Sequence, residues 1–417
     1  MDAKSLVPVP PIASSAHRLR GIEGLRAAAA TALVVHHVWI FDGGERLGAQ
    51  SGAGVLFLNL ALGVTLFFAL SGFLLYRPFA AAIARGEPLP DVRSYLRNRG
   101  LRILPAYWVI LLVTAFVLQT AGTRGAGGQI EFGALTDPVE LVKAGLLIQD
   151  YTPDSVVVGI GPAWSLAVEL VFYLLLPLLV LAVARLARGQ QRRSNRVALL
   201  LAPAALLLVL GLFGKFLAGV VVPASPAAGY TSDWHSVIER SFLAQADLFT
   251  FGMAAAVLHT EVVDGRVTLP RNWRLAALGL AAAIFIPCAI SLNSGQLSYL
   301  PQNTAVALSA ALLLMVVAFP SDSERGPLLQ RGLELRWVVV AGLVSYSVFL
   351  WNEPLIRWLA ENGVMRGGWT GLGFNLAVTA VIVGALSVLT YRLIELPALR
   401  RKRRPRALDV AQLEAAP

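Results

Sequence analysis

Long apolar runs alternate with shorter polar segments along most of this chain. A helix needs about 20 predominantly apolar residues to cross the ~30 Å hydrocarbon core of a bilayer. Ten runs satisfy this requirement, so the pattern predicts an all-α polytopic membrane protein with about ten transmembrane helices. In chain order the runs lie at about 22–41, 55–76, 103–121, 163–184, 197–222, 241–258, 274–290, 303–319, 337–356 and 371–391.

No polar segment between the runs is long enough to fold separately, so we expect one membrane domain over residues 22–396. Residues 1–21 are expected to form a cytosolic N-terminal segment, and residues 397–417 a basic and then polar cytosolic tail. The N-terminal segment has no apolar region before a cleavage site, so we expect no signal peptide. Arginine outnumbers lysine 31 to 4, which is typical of a GC-rich bacterial genome. We therefore expect a multi-pass protein of the bacterial cytoplasmic membrane.

The formal net charge of +10 follows the predicted topology. With both termini placed in the cytosol, the cytosolic segments hold 28 of the 35 Lys and Arg residues and the external loops hold six. This division fits the positive-inside rule. The basic charge therefore indicates orientation in a bilayer, and we expect no nucleic-acid partner.

The first span carries two ionisable residues on one face. Arg26 follows a Gly21–Leu25 segment, and His37 comes eleven residues later. Eleven residues make about three helical turns, so the two side chains share a face roughly 16 Å apart. An ionisable residue inside a span is a functional candidate, and imidazole suits general-base chemistry near neutral pH. His37 is the favoured base over its neighbour His36; the alternative is a hydrogen-bonded structural histidine.

Three further charged residues lie inside predicted spans. Glu169 falls a turn or two below the expected outer surface, where it could orient His37 or instead form a salt bridge with an arginine. Lys215 and Asp247 each lie about seven residues inside the outer end of a span. Because buried opposite charges at matching depth normally pair, we expect an ion pair there, with a structural role favoured over substrate binding.

An Arg-x-x-Arg pair, Arg99 and Arg102, opens the third span on the cytosolic side. Two guanidinium groups one helical turn apart suit phosphate recognition. Positive-inside anchoring also explains arginines here, including Arg93 and Arg97, so both interpretations stay open. The single cysteine, Cys288, excludes a disulfide framework and a thiolate metal site; we expect it to pack in the core, and we expect no metal site.

The predicted external segment 122–162 is the longest of the external loops. Its Asp137-Pro138 dipeptide predicts a helix start, with an N-cap and then proline at the first position. Val139, Val142 and Leu146 then recur at the spacing of an interfacial amphipathic helix. This helix could cover an external cavity or lie passively on the surface.

Six sequence strings in order resemble the acyltransferase-3 family of integral-membrane O-acyltransferases, over about residues 21–400. They are Gly24-Leu25-Arg26 followed by His37, then 63–74, 99–107, 164–169, 345–354 and 394–397. The resemblance implies a ten-helix enzyme that takes an acyl group, usually acetyl, from cytosolic acyl-CoA. It delivers that group to a hydroxyl of a glycan, a glycolipid or a small molecule. It further implies that His37 and Arg26 are essential and that Arg99 and Arg102 hold the CoA phosphates.

The chain departs from the family pattern at two positions. Thr65 stands where the family often has Asp, and Asn352 stands where it commonly has His. Because Asn cannot shuttle protons at neutral pH, the catalytic burden is expected to fall on His37. About 20 residues follow Pro397, so we also expect no C-terminal esterase-like domain.

The sequence thus predicts an O-acyltransferase in which His37 is the general base, oriented by Glu169, and acyl-CoA is the co-substrate. The alternative is a glycolipid or polysaccharide transporter or flippase, for which buried charges and ten spans would also serve. No inverted repeat is visible in the sequence, and the Arg26–His37 pair favours the enzyme. Thioester hydrolysis or CoA release by the purified protein would separate the two.

Overall fold

The protein is described here by a computed structural model. The described residues are 19–41, 52–125, 129–190, 192–222, 232–294, 299–321 and 327–401. Residues 1–18 of the expected N-terminal segment and residues 402–417 of the basic tail lie outside these ranges.

Helices account for most of the described chain. The first nine are α1 (Ile22–Phe41), α2 (Gly52–Asn59), α3 (Gly63–Arg85), α4 (Val92–Leu112), α5 (Pro138–Gly145), α6 (Trp164–Ala187), α7 (Arg193–Phe216), α8 (Trp234–Arg240) and α9 (Phe242–Gln245). The others are α10 (Thr250–Val263), α11 (Trp273–Ser294), α12 (Tyr299–Ala318), α13 (Leu328–Leu333), α14 (Arg336–Leu343), α15 (Ser345–Glu361), α16 (Gly368–Thr390) and α17 (Leu396–Arg400).

Eight helical segments within the described residues are long and apolar enough to cross a membrane. The all-α polytopic class predicted from the sequence is therefore confirmed. Eight of the ten predicted runs coincide with these segments. The run at 303–319 forms α12, whose apolar part, Gln302–Ala318, is shorter than the other spans.

The run at 337–356 is not one straight helix. It forms α14 and α15, which meet at Val344 with a bend of 68°. Close packing holds α14 against α1 at Gly342, where a Cβ atom would lie 2.0 Å from the carbonyl oxygen of Glu23. The bend therefore gives α14 and α15 different directions, although both helices contact α1.

The centre of the fold is the contact between α3 and α10. A Cβ atom on Gly72 would lie 2.3 Å from the Phe249 carbonyl oxygen, and one on Gly252 would lie 2.0 Å from that of Ala69. The two glycines let the backbones touch, as small residues do between membrane helices. Next to this contact, the rings of Phe172 and Phe249 stack with their centroids 4.1 Å apart.

The segment between α4 and α6 contains a feature that the sequence did not predict. Strands β1 (Ala121–Arg124) and β2 (Ile130–Gly133) form an antiparallel hairpin in which Ala121 pairs with Gly133. The predicted helix start is confirmed, because Asp137 caps α5 and accepts a hydrogen bond from the Val139 amide at 2.7 Å. Val139 and Val142 leave the apolar face of α5 exposed, as expected of an interfacial helix.

The predicted Lys215–Asp247 ion pair is confirmed. The Lys215 ammonium group donates to the Asp247 carboxylate, and the two side chains are 3% and 0% exposed. Thr304 of α12 donates to the second carboxylate oxygen. Gly211 makes room for the carboxylate, since a Cβ atom there would lie 2.4 Å from an Asp247 oxygen. The pair thus joins three helical segments in the interior.

We expect Lys215 and Asp247 to be strongly coupled in stability. Lys215→Met or Asp247→Asn alone leaves the partner charge buried and unpaired, which costs about 3–5 kcal/mol. Each single variant should therefore lower Tm clearly in detergent, and the double variant should recover much of the loss. Arg124→Met and Asp154→Asn, at an ion pair whose side chains are 43% and 66% exposed, should change Tm little. Additive losses at Lys215 and Asp247 would contradict the coupling.

Candidate active site

Helix α1 presents Arg26 and His37 to the same neighbouring helix, α15. The Arg26 Nε donates to the Ser345 hydroxyl at 3.3 Å, and His37 Nδ1 is hydrogen-bonded to the Asn352 side-chain oxygen. Since Ser345 and Asn352 lie in that order along α15, the two helices run in the same direction here. The shared face of Arg26 and His37 inferred from helix periodicity is confirmed.

His36 has a different environment from His37. Its Nδ1 lies 3.1 Å from the carbonyl oxygen of Phe57 in α2, so it faces away from Asn352. The two imidazole rings are neighbours, with centroids 5.4 Å apart, but only His37 meets the α15 side chain. The choice between the histidines made from helix arithmetic agrees with this geometry.

A cavity of about 770 Å³, including its open mouth, lies beside Arg26. Three guanidinium groups line it, from Arg26, Arg99 and Arg102, together with one carboxylate, from Glu169. The remaining walls are aromatic, aliphatic and hydroxyl side chains, provided by Val64, Phe67, Phe68, Leu70, Ser71, Leu74, Leu75, Ile103, Ser165, Leu166, Tyr173, Tyr346 and Phe349. The lining is therefore strongly apolar with a local excess of positive charge.

The start of α4 determines which of its arginines line the cavity. Asp91 caps α4 by accepting a hydrogen bond from the Ser94 amide at 2.8 Å. Two turns later, Arg99 and Arg102 lie one turn apart on the face that lines the cavity. Arg93 and Arg97, on the same helix, are exposed and do not line it. The sequence could not distinguish these two pairs, and the structure separates them.

Arg99 and Arg102 form no close ion pair within the described part of the chain. No Asp or Glu of the described residues lies within ion-pair distance of either guanidinium group. The Arg99 Nε is buried and has no hydrogen-bond partner in the described part of the chain. Arg99 also lies over the Tyr173 ring, 6.0 Å from its centroid. The two groups are therefore free to bind an anion in the cavity.

Glu169 lies in this cavity and does not contact His37. It accepts a hydrogen bond from the Ser71 hydroxyl and interacts with Tyr173. Its charge acts on Arg26. Among the described residues Glu169 forms neither the expected pair with His37 nor the alternative salt bridge with an arginine; its direct partners are Ser71 and Tyr173.

Depth along α6 explains this difference. Glu353, the neighbour of Asn352, lies against Gly161, which comes three residues before the start of α6. A Cβ atom on Gly161 would lie 3.3 Å from the Glu353 carboxyl carbon. His37 is therefore level with Gly161. Glu169 comes eight residues later, which is roughly 12 Å further along a helix. The carboxylate consequently reaches the level of Arg26.

The cavity ends before it reaches His37. The rings of Phe67 and Phe349 meet edge to face with centroids 5.9 Å apart, and both line the cavity. Phe349 lies one helical turn before Asn352, whose side chain contacts His37. Phe349 is therefore the cavity-lining residue of α15 that lies nearest to Asn352 along the helix.

Several polar residues around the cavity were not singled out in the sequence. Ser71 binds Glu169, Ser345 binds Arg26, and Ser347 donates to Glu395. Glu395 is buried, and its charge acts on Arg26 and Arg102. These three serines and Glu395 all lie inside the sequence strings that carry the family resemblance. Their position in those strings is the feature of the sequence that could have marked them as site residues.

The sequence model of a protein family described as an acyltransferase domain matches residues 19–391. This range covers nearly the whole described chain, including every residue that lines the cavity. The chain belongs to the acyltransferase-3 family. Membership supports an acyl-transferase activity.

Three curated relatives fit this family assignment. Acyltransferase MdmB from Streptomyces mycarofaciens is 30% identical over 168 residues, which are 39% of each chain. Nodulation protein 10 from Rhizobium leguminosarum bv. viciae is 26% identical over 93% of this chain and 95% of its own. The putative peptidoglycan O-acetyltransferase YrhL from Bacillus subtilis (strain 168) is 23% identical over 91% of this chain and 55% of its own length. No solved structure matches the chain.

Glu169 provides a test of the cavity's charge balance. Glu169→Gln removes the carboxylate among the lining residues and leaves three guanidinium groups without it, so Tm should fall. Added coenzyme A should then raise Tm more in the variant than in the unmodified protein, because an anionic ligand restores the balance. Thermal unfolding in detergent, with and without coenzyme A, measures both effects.

Glu87→Gln is the matched control, because Glu87 is an exposed carboxylate just after α3. It should change neither Tm nor the stabilisation by coenzyme A. If Glu169→Gln abolished turnover while both thermal measurements stayed unchanged, Glu169 would belong to the chemistry, as the sequence suggested.

Proposed function

We propose that this acyltransferase moves an acetyl group from cytosolic acyl-CoA to a hydroxyl group of a membrane-associated acceptor. The observation that carries the proposal is the cavity lined by Arg26, Arg99 and Arg102, because Arg26 and His37 on α1 both contact α15. Two of the anion-binding groups, Arg99 and Arg102, come from α4, and Arg26 shares α1 with the candidate base His37.

The charges of the cavity support acyl-CoA as the donor. Coenzyme A carries a diphosphate, and guanidinium groups bind phosphate oxygens through charge-assisted, often bidentate hydrogen bonds. Arg99 and Arg102 have no carboxylate partner in the described residues, and the buried Arg99 Nε lacks an acceptor. A phosphate oxygen would supply that acceptor. The apolar walls suit the pantetheine arm and the acyl chain.

The distribution of basic residues supports cytosolic entry of this donor. Both termini are assigned to the cytosol by the positive-inside rule. On this topology, α4 begins on the cytosolic side, and the exposed Arg93 and Arg97 lie nearer that surface than Arg99. The protein is then a multi-pass component of the bacterial cytoplasmic membrane.

In the proposed reaction His37 acts as general base on the acceptor. It removes the hydroxyl proton while the oxygen attacks the thioester carbonyl carbon. A carbon–oxygen bond forms, the carbon–sulfur bond breaks, and coenzyme A leaves as the thiol after taking up a proton. His37 does not line the cavity, so the thioester carbonyl or the imidazole must move for the two to meet.

The acceptor class is proposed from two considerations. One relative is named a peptidoglycan O-acetyltransferase, and His37 lies at the end of α1 that the topology places near the outer surface. We therefore assign a glycan, a glycolipid or a small molecule as the acceptor. A protein that only transports such a molecule would leave the thioester intact. Release of free thiol from acetyl-CoA by the purified protein tests the proposal against this alternative.

His37 and His36 form a matched pair for testing the base. His37→Ala should lower the rate of thiol release by about 10²-fold or more, the usual contribution of general-base catalysis. Coenzyme A affinity and Tm should change little, since the imidazole lies outside the phosphate-binding cavity. His36→Ala, with its ring on the Phe57 side, should keep most activity. An inactive His36 variant beside an active His37 variant would reverse the assignment.

Arg99 and Arg102 can be compared with Arg93 and Arg97 on the same helix. Arg99→Met and Arg102→Met should each weaken coenzyme A binding on the order of tenfold to hundredfold, because each removes a charge-assisted contact of about 1.5–3 kcal/mol. Arg93→Met and Arg97→Met should have little effect. Calorimetric titration with coenzyme A measures the affinities. Equal affinities for coenzyme A in all four variants would mean that Arg99 and Arg102 serve only to orient the protein in the membrane.

A further inference from the structure

We propose that Asn352 is a positioning residue that fixes the orientation and the tautomer of His37, so that its Nε2 is the basic nitrogen. This inference rests on the proposed function, in which His37 is the base. It replaces the expectation that Glu169 orients His37. It also gives a role to the position where the chain departs from the family's common histidine.

The orientation of the Asn352 amide is determined by its own helix. Its Nδ2 donates to the carbonyl oxygens of Val348 at 3.0 Å and Phe349 at 2.6 Å. Asn352 is completely buried. Rotating the amide by 180° would place its oxygen against two carbonyl oxygens, which repel it, and would lose both hydrogen bonds from Nδ2 to these carbonyls. The oxygen is therefore held toward His37.

The fixed amide in turn selects one tautomer of the imidazole. An amide oxygen can only accept a hydrogen bond, so the proton of the His37–Asn352 bond belongs to His37 Nδ1. In the neutral ring, Nε2 then carries no proton and presents its lone pair. A base needs this arrangement, and in related catalytic groups the third residue supplies it by holding the imidazole in the correct tautomer.

Asn352 holds the ring without adding a negative charge. The charged and titratable groups around His37 include His36 on its own helix and Arg357 on α15. Arg357 is paired with Glu353 at 2.8 Å. An orienting carboxylate would favour the protonated imidazole, whereas the neutral amide leaves the ring available as a base at lower pH. Asn352 thus fixes the geometry of His37 without stabilising the protonated form of the imidazole.

Two variants of Asn352 separate orientation from charge. Asn352→Leu keeps much of the volume and removes the acceptor, so thiol release from acetyl-CoA should fall about 10²-fold, with coenzyme A affinity unchanged. Asn352→Asp keeps an acceptor and adds a charge. It should retain substantial turnover, and the acidic limb of its pH–rate profile should move to higher pH.

Asn362 is the matched control in the same helical region. Its Nδ2 donates to the Trp358 carbonyl oxygen at 2.8 Å, the same local bond, but its side chain is exposed. Asn362→Leu and Asn362→Asp should leave the rate and the pH profile unchanged. In the His37→Ala background, Asn352→Leu should cause no further loss, because a residue that acts through His37 has nothing left to position.

Nitrogen-15 NMR of histidine-labelled protein tests the inference without any turnover. The signal that His37→Ala removes should show protonated Nδ1 and unprotonated Nε2 in the unmodified protein, and a mixture of tautomers in Asn352→Leu. This result can be obtained even if no thiol is released, which would refute the proposed function alone. A predominantly Nε2-protonated His37, or an Asn352→Leu variant with normal rate and profile, would overturn the role of Asn352.

Discussion

The electrostatic cost of holding arginines inside a helical bundle dominates this structure. Charges removed from water are unfavourable unless paired or hydrogen-bonded. Arg26 meets part of this cost through Ser345 and through the nearby carboxylates of Glu23, Glu169 and Glu395. Arg99 and Arg102 have no carboxylate at ion-pair distance among the described residues. The folded protein therefore leaves positive charge in the cavity without a close counter-charge in the described part of the chain.

Close helix packing keeps this unbalanced region in place. The glycine contacts between α3 and α10 set the position of Ser71, which binds Glu169, since Ser71 is next to Gly72 in α3. The buried Lys215–Asp247 pair connects α7 with the segment before α10 and with α12. The charges used for structure are thus fully paired, whereas those that line the cavity are only partly paired. The degree of pairing therefore distinguishes the structural charges from the cavity-lining charges more clearly than their burial does.

Helical periodicity and hydropathy determined much of what the sequence predicted. The apolar runs located the spans. The eleven-residue separation placed Arg26 and His37 on one helix face, and matching depth in the membrane predicted the ion pair between Lys215 and Asp247. These inferences depend on one helix at a time or on coarse depth. Periodicity does not report the relative height of two helices to within a turn. The partner of Glu169 was therefore misjudged by about two turns.

Features that depend on several elements together also escaped the sequence. The bend at Val344 follows from the packing of Gly342 on α1, and the β1–β2 hairpin has no strong alternating pattern. Asn352 was visible only as a departure from the family, because its use by His37 depends on the approach of α15 to α1. Contacts across the bundle are set by tertiary packing, which the linear pattern does not contain.

The bend at Val344 has a further electrostatic consequence. It starts a new helix, α15, at Ser345, beside Arg26, and the side chain of Val344 does not cap it. The first backbone amides of a helix lack intrahelical acceptors, and the aligned peptide dipoles place roughly half a positive charge at that end. A span broken here therefore leaves main-chain amides of α15 beside Arg26, and the carbonyl end of α14 at the same bend offsets only part of their positive potential. That contribution cannot be titrated away and needs no additional arginine.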